Sequence, residues 1–184
     1  MKPPHIQIII GSIREGRVGE PVARWFAELA AQRDDMTSEL VDLREWGLPF
    51  LTARRPPSQG YETDHQHRWA AKVAAADGYV LVTAEYNHGY PPPLKNALDH
   101  VYGEWARKPV SYVSYGGPGG GTRAVEQLRG VAVELQQAPL RSQVIINRPW
   151  PNLHDGAFDG SQAGALLDEL VWWADVLRAG RARA

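Results

Sequence analysis

The stretch Ala84-Glu85-Tyr86-Asn87-His88-Gly89-Tyr90-Pro91-Pro92-Pro93-Leu94-Lys95-Asn96-Ala97-Leu98-Asp99 decides how the rest of the chain is read. It follows the apolar run Tyr79-Val80-Leu81-Val82 and leads into a helical pattern, so a strand ends here in a polar, aromatic, proline-stiffened turn. Open α/β sheets bind ligands at the carboxyl ends of their strands, which makes Glu85, Tyr86, Asn87 and His88 candidate binding residues. A structural turn with a proline-led helix start is the alternative. Two further stretches have the same placement: Gly11-Ser12-Ile13-Arg14-Glu15-Gly16-Arg17 and Ser114-Tyr115-Gly116-Gly117-Pro118-Gly119-Gly120-Gly121.

Outward from this segment, strands and helices alternate. Ile6 and Ile8 to Ile10 read as a strand covered on both faces, and Val22, Trp25, Phe26 and Leu29 recur at helical spacing behind Pro21. Glu39 to Leu43 reads as a second strand. A long loop from Trp46 to Tyr61 follows, either a flap over a site or a surface excursion. Thr63 caps an expected helix from Asp64 to Ala76, and Tyr79 to Thr83 is the third strand. The helix after Pro91-Pro92-Pro93 is expected to carry Leu94, Leu98, Val101 and Tyr102.

Pro109 opens a fourth strand, Val110 to Tyr115, and Thr122 is the expected cap of a helix that ends before Pro139. Val144 to Ile146 is a fifth strand, Asn147 to Ser161 a second long loop, and Leu166 to Leu177 a closing helix before a frayed basic tail from Ala179 to Ala184. Five strands alternating with five helices predict an α/β fold, a doubly wound five-stranded parallel sheet of order 2-1-3-4-5 with helices on both faces, in one domain spanning residues 1–184. In that order the loops after strands one, three and four lie together, and the three unusual stretches fall on those three loops.

Composition narrows the chemistry. The 184 residues suffice for an ordinary core, and a formal net charge of -1 supplies no field for nucleic acid or an anionic membrane. The absence of cysteine excludes disulfides, thiolate nucleophiles and iron–sulfur clusters, so redox chemistry must come from a bound cofactor. No signal peptide or membrane-spanning run is apparent, which makes the cytoplasm the expected location. His65 and His67 lie two apart on an expected helix and share no face, so no metal site is expected.

The first loop has the parts of an anion site. Gly11, Gly16 and Gly19 let backbone N–H groups turn inward, a helix starts at Glu20-Pro21, Ser12 offers a hydroxyl, and Arg14 and Arg17 offer guanidinium forks. No G-x-G-x-x-G or G-x-x-x-x-G-K-[ST] occurs, which argues against a primary dinucleotide fold and a nucleotide triphosphatase. The glycines of the third loop suit N–H donation to a planar ligand edge, or a flexible turn. Trp46, Trp105 and Trp150 lie at helix ends or in loops, suited to covering a ligand or a subunit contact, whereas Trp25, Trp69, Trp172 and Trp173 fall on helices.

Taken in order, Gly11-Ser12-x-Arg14, Glu85-Tyr86-Asn87 with Leu94-Lys95-Asn96-Ala97-Leu98-Asp99, and Ser114-x-Gly116-Gly117 resemble the NAD(P)H-dependent FMN reductase family of flavodoxin-like proteins, which includes quinone and azo-dye reductases. The resemblance implies FMN held non-covalently, with NADPH or NADH as co-substrate, in a homodimer or homotetramer. It places the phosphate against Ser12, Arg14, Arg17 and the backbone of Val18 and Gly19. Glu85, Tyr86, Asn87 and His88 line the ring and ribityl chain, and Ser114, Gly116 and Gly117 the pyrimidine edge. Ala84 stands where the family has proline, Arg17 and Gly19 where many members have serine and asparagine, and Gly89 where serine is frequent.

The expected chemistry is a ping-pong transfer of hydride from the nicotinamide through FMN to a quinone, free flavin or similar small-molecule acceptor, with Tyr86 and His88 as candidates for stacking or for supplying a proton. A flavodoxin-type electron carrier and a non-catalytic flavin-binding sensor are the competing readings.

Overall fold

The computed structural model describes residues 2–183, so Met1 and Ala184 lie outside it. In chain order the elements are β1 (His5–Ile10), α1 (Gly19–Ala31), β2 (Thr37–Asp42), a one-turn α2 (Leu43–Trp46), α3 (Asp64–Ala74), β3 (Gly78–Ala84), α4 (Pro92–Asp99), β4 (Pro109–Gly116), α5 (Thr122–Glu134), β5 (Ala138–Asn147) and α6 (Ala163–Arg181). The sheet order is β2-β1-β3-β4-β5 with every pairing parallel, as the alternation predicts. The chain turns outward to β2 after β1 and crosses to the other side for β3, so the loops that leave β1 and β3 part at a switch point.

Both faces of the sheet are covered, which is why its central strands are mostly apolar, interrupted only by the buried Gln7, Ser111, Ser114 and Thr83. On one face Phe26 of α1 and Leu166 and Leu170 of α6 pack on Ile8, Val82 and Val113. On the other, Trp69 of α3, Leu94 and Leu98 of α4 and Leu128 of α5 pack on Ile9, Leu81 and Tyr112. Burying a side chain of leucine size contributes roughly 1.5–3 kcal/mol, so these two layers dominate the stability. Trp69 and Trp105 are fully buried, and their indole N–H groups donate to the carbonyls of Ala97 and Leu98 at 2.8 and 3.2 Å. Trp105 is thus a core residue that cannot cover a ligand, while Trp172, on α6, is exposed.

Several boundaries differ from the expectations for local reasons. Thr63 caps α3 in a reciprocal box with Gln66, as its position suggests, but α3 ends at Ala74. Helix α4 stops at Asp99, so Val101 and Tyr102 lie beyond it, although Val101 is still buried. Gly121, at φ 84°, occupies the cap position before α5, and the Thr122 hydroxyl instead donates to the Gly119 carbonyl at 2.9 Å. Strand β5 is far longer than Val144 to Ile146: it is an edge strand, so Pro139 costs it no ladder bond and its polar residues face outward. Ala179 to Arg181 continue α6, held by Arg181, which donates to Asp77 Oδ1 at 2.8 Å and to the Arg107 carbonyl at 2.7 Å.

Candidate active site

The loops that leave β1, β3 and β4 converge on one cavity of about 290 Å³ at the carboxyl edge of the sheet. Ser12, Arg14, Arg17 and Val18 from the first loop, Glu85 and Tyr86 from the second, and Gly116 and Gly117 from the third line it together. Residues from chain positions a hundred apart are therefore brought to one place by the strand order.

At the first loop, the buried Ser12 hydroxyl lies 2.6 Å from the Tyr86 hydroxyl. The Arg14 guanidinium stands 5.7 Å from the centroid of the Tyr86 ring and pairs with no carboxylate among the described residues, its charge at the cavity. Gly19 opens α1 against the Tyr115 hydroxyl; a Cβ there would come within 2.6 Å of that oxygen, so a larger residue would require the Tyr115 ring to move. Burial, and then the neighbouring Tyr86, push the Tyr115 phenol well above its ordinary range, so it is a permanent hydrogen-bond donor at neutral pH.

Arg17 sits differently from the other loop residues. Its Nη1 donates to Asp42 Oδ1 at 2.7 Å and to the Ser12 carbonyl at 3.0 Å, and its Nη2 pairs with Asp42 and with Glu20. Its side chain is only 5% exposed. Burial works to lower its pKa, but the carboxylates of Asp42 and Glu20 outweigh burial and raise it. The fork that was expected on a phosphate is spent on fastening the first loop to the end of β2.

The second loop is a tight hairpin. Tyr86 and Gly89 exchange backbone hydrogen bonds of 2.8 and 2.9 Å, and Asn87 and His88 between them take left-handed backbones, φ 51° and 69°. Such a turn favours glycine at its centre, and a bulkier residue there stores about 1–3 kcal/mol of strain. Gln127 of α5 holds it by donating to the His88 carbonyl at 3.0 Å. Asn87 and His88 are exposed on this turn and lie at the margin, outside the cavity lining.

Glu85 accepts the backbone N–H of Arg123 at 3.1 Å and pairs with the Arg123 guanidinium. Asp99 pairs instead with Lys95, at 2.5 Å, one turn away on α4. Ser114 does not line the cavity either: it is buried beneath the glycine turn, against Gly121, and its hydroxyl has no hydrogen-bond partner among the described residues. The turn itself is braced by the Gly120 N–H donating to the Gly117 carbonyl at 3.0 Å and by the Arg148 N–H donating to the Gly116 carbonyl at 2.8 Å.

Two cavity residues, Trp150 and Leu153, come from the loop after β5, which the sequence marks only by its length and its exposed tryptophan. Tyr115, a third, was visible only as an aromatic position in β4; its alternation with Ser114 puts it on the α1 face.

The donor set has two chemical ends. Ser12, Arg14 and the start of α1 offer hydroxyl, charge and N–H groups to an anion, while the glycine turn adds Gly116 and Gly117 and the loop after β5 adds Trp150; the Tyr86 ring, whose hydroxyl meets Ser12, joins the two. That arrangement suits a phosphate joined to a flat heterocycle, and it fits FMN. A doubly wound sheet with these loops defines a flavodoxin-like mononucleotide-binding protein.

The model of the family described as NADPH-dependent FMN reductase matches residues 4–151, and the chain belongs to that family. It is 40% identical over 159 residues to an NAD(P)H-dependent FMN reductase of Schizosaccharomyces pombe, covering 85% of this chain and 79% of that protein. It is 32% identical over 158 residues to a 2-hydroxy-1,4-benzoquinone reductase of a Burkholderia species, covering 78% and 75%. The solved structure of FerB, a flavoenzyme NAD(P)H:(acceptor) oxidoreductase from Paracoccus denitrificans, superposes with a TM-score of 0.73 over 96% of this chain and 98% of that one, at 20% identity, a likeness of fold. The chain is an oxidoreductase that uses FMN and NAD(P)H. No helix among the described residues is long and apolar enough to cross a membrane.

Proposed function

We propose that the chain acts as one FMN-binding unit that carries reducing equivalents from NADH or NADPH to a quinone or related two-electron acceptor, the two substrates using the same open face in turn. The observation that carries this reading is a single cavity lined by the anion donors Ser12 and Arg14 and by Gly116 and Gly117 of the glycine turn, with the exposed Trp150 among its walls. When bound, FMN supplies the hydride chemistry that no side chain of this cysteine-free chain possesses.

The protein's own share is position and charge. Ser12, Arg14 and the α1 N-terminus hold the phosphate, and the Ser12–Tyr86 contact joins the phosphate loop to the ring loop. Gly116 and Gly117 direct N–H groups at the ring edge, with the N-terminus of α5 behind them. Tyr86 forms a wall for the ring, and the exposure of His88 on the same turn supports a role for it in meeting an incoming acceptor. The Burkholderia relative, named for its action on a benzoquinone, supports a quinone as acceptor. The exposed Phe50 and Ile13 beside the site support association with a second copy.

The test is spectroscopic. Protein mixed with FMN is expected to show bound-flavin bands that bleach with anaerobic NADH or NADPH and return with 1,4-benzoquinone, with parallel double-reciprocal plots at varied quinone. Intersecting plots would refute a shared site, and failure to bind FMN would refute the whole reading.

A further inference from the structure

Glu85 and Arg123 meet where the cavity wall passes into the glycine turn. The Glu85 side chain is 8% exposed and lines the cavity beside Gly116 and Gly117. Arg123, in the first turn of α5, folds back across that turn: a Cβ on Gly119 would stand 3.1 Å from its Nη2. One carboxylate therefore takes both the guanidinium and the backbone N–H of the same residue.

Burial works to raise the Glu85 pKa, but Arg123 and the N–H groups at the start of α5 outweigh it and hold the carboxyl below its usual range. Glu85 is thus an anion at neutral pH, shielded from water, on the wall of the cavity's ring end. A flavin ring gains negative charge on reduction. An unbalanced carboxylate in that wall would oppose this gain, and in a site of low dielectric the opposition is felt over several ångströms. The Arg123 guanidinium cancels it at its source.

We propose that Arg123 is a positioning residue that neutralises Glu85 and so sets the reduction potential of bound FMN, the two residues acting as a matched pair. This rests on the reading of the cavity as an FMN site with its ring at the glycine end. If Glu85 served only to cap α5, loss of either partner would loosen the same turn and move FMN binding in one direction. As a charge pair, the two losses must act with opposite signs.

The experiment measures the midpoint potential of bound FMN by anaerobic titration against a reference dye, together with the Kd for oxidised FMN, in the wild type, Arg123→Met, Glu85→Gln, the double variant and Arg123→Lys. Arg123→Met is expected to favour oxidised over reduced FMN by about tenfold, a shift of about 30 mV to more negative potential for a two-electron couple. Glu85→Gln, whose amide oxygen still accepts from the helix, is expected to shift the potential positively. The double variant and the charge-conserving Arg123→Lys are expected to lie near the wild type. Shifts of the same sign in both single variants, or no shift in variants that bind FMN normally, would overturn the proposal while leaving the FMN site intact. Absence of FMN binding by the wild type would overturn the site and the proposal together. Should Arg123→Met fail to fold, Glu85→Gln and Arg123→Lys still decide the sign.

Discussion

The Ser12 hydroxyl and the Tyr86 hydroxyl lie 2.6 Å apart, a single contact that joins the loop after β1 to the turn after β3 across the switch point of the sheet. Tyr86→Phe keeps the ring wall and removes this link. Loss of one such hydrogen bond, with the buried Ser12 left unpaired, is expected to weaken FMN binding roughly 5- to 20-fold, corresponding to about 1–2 kcal/mol. Flavin fluorescence titration measures it, and unchanged affinity would show that the two loops are held by other means.

Arg17 gives a test of stability. Asp42→Ala leaves an almost wholly buried guanidinium with Glu20 as its one remaining carboxylate among the described residues, and is expected to cost about 3 kcal/mol in urea unfolding. FMN affinity should fall as well, because Arg17, which donates to the Ser12 carbonyl, loses its anchor at the end of β2. A loss below about 1 kcal/mol, the range of exposed ion pairs, would mean that the pair is solvated.

The glycine turn separates space from function. At Gly121 a Cβ would stand 2.9 to 3.0 Å from Ser114 Cβ and the Tyr115 backbone, on a residue with φ of 84°, whereas a Cβ at Gly117 meets nothing within 4 Å. Gly121→Ala is expected to lower stability by more than about 2 kcal/mol, from backbone strain and overpacking together. Gly117→Ala is expected to unfold like the wild type yet bind FMN more weakly, since its methyl group has the cavity beside it. Equal unfolding midpoints for the two variants would contradict this contrast.

Lys108 sets a pH dependence far from the site. It is buried and donates to the carbonyls of Val73 and Ala74 and to the Tyr79 hydroxyl at 3.0 to 3.1 Å. Burial, helped by repulsion from Arg181, takes its pKa down to about 8. Between that value and the ordinary lysine pKa of about 10.4 the unfolded chain holds the extra proton, so stability rises with pH through this window. The unfolding free energy of the wild type minus that of Lys108→Met, from urea titrations, should therefore increase from about pH 8 to pH 10. A flat difference would place the Lys108 pKa at its unfolded value.

The sheet was legible because its buried strands carry their own signature: Ile8 to Ile10 and Tyr79 to Val82 are apolar on both faces, and Val110 to Tyr115 is broken only by two small serines. Strand β5 was seen only in part, since an edge strand shows alternation and tolerates Pro139, which reads as a break. Within the site, backbone-driven features such as the loops and their glycines could be read locally. The partners of charged groups could not: Arg17 finds Asp42 25 residues away and Glu85 finds Arg123 38 residues away, distances that only the fold closes. Ser114 was misplaced by one face because its register in β4 turns it under Gly121, toward α5.

The cluster of Lys108, Asp77 and Arg181 stands at the amino edge of the sheet, and the cavity at the carboxyl edge, with the length of every parallel strand between them. Sites so far apart, with no shared partners, contribute to the free energy almost additively. The molecule thus offers two independent handles to protein engineering. Thermal tolerance can be adjusted at one rim while acceptor range is altered at the other, and gains at the two rims can be combined without each change being selected anew in the background of the other.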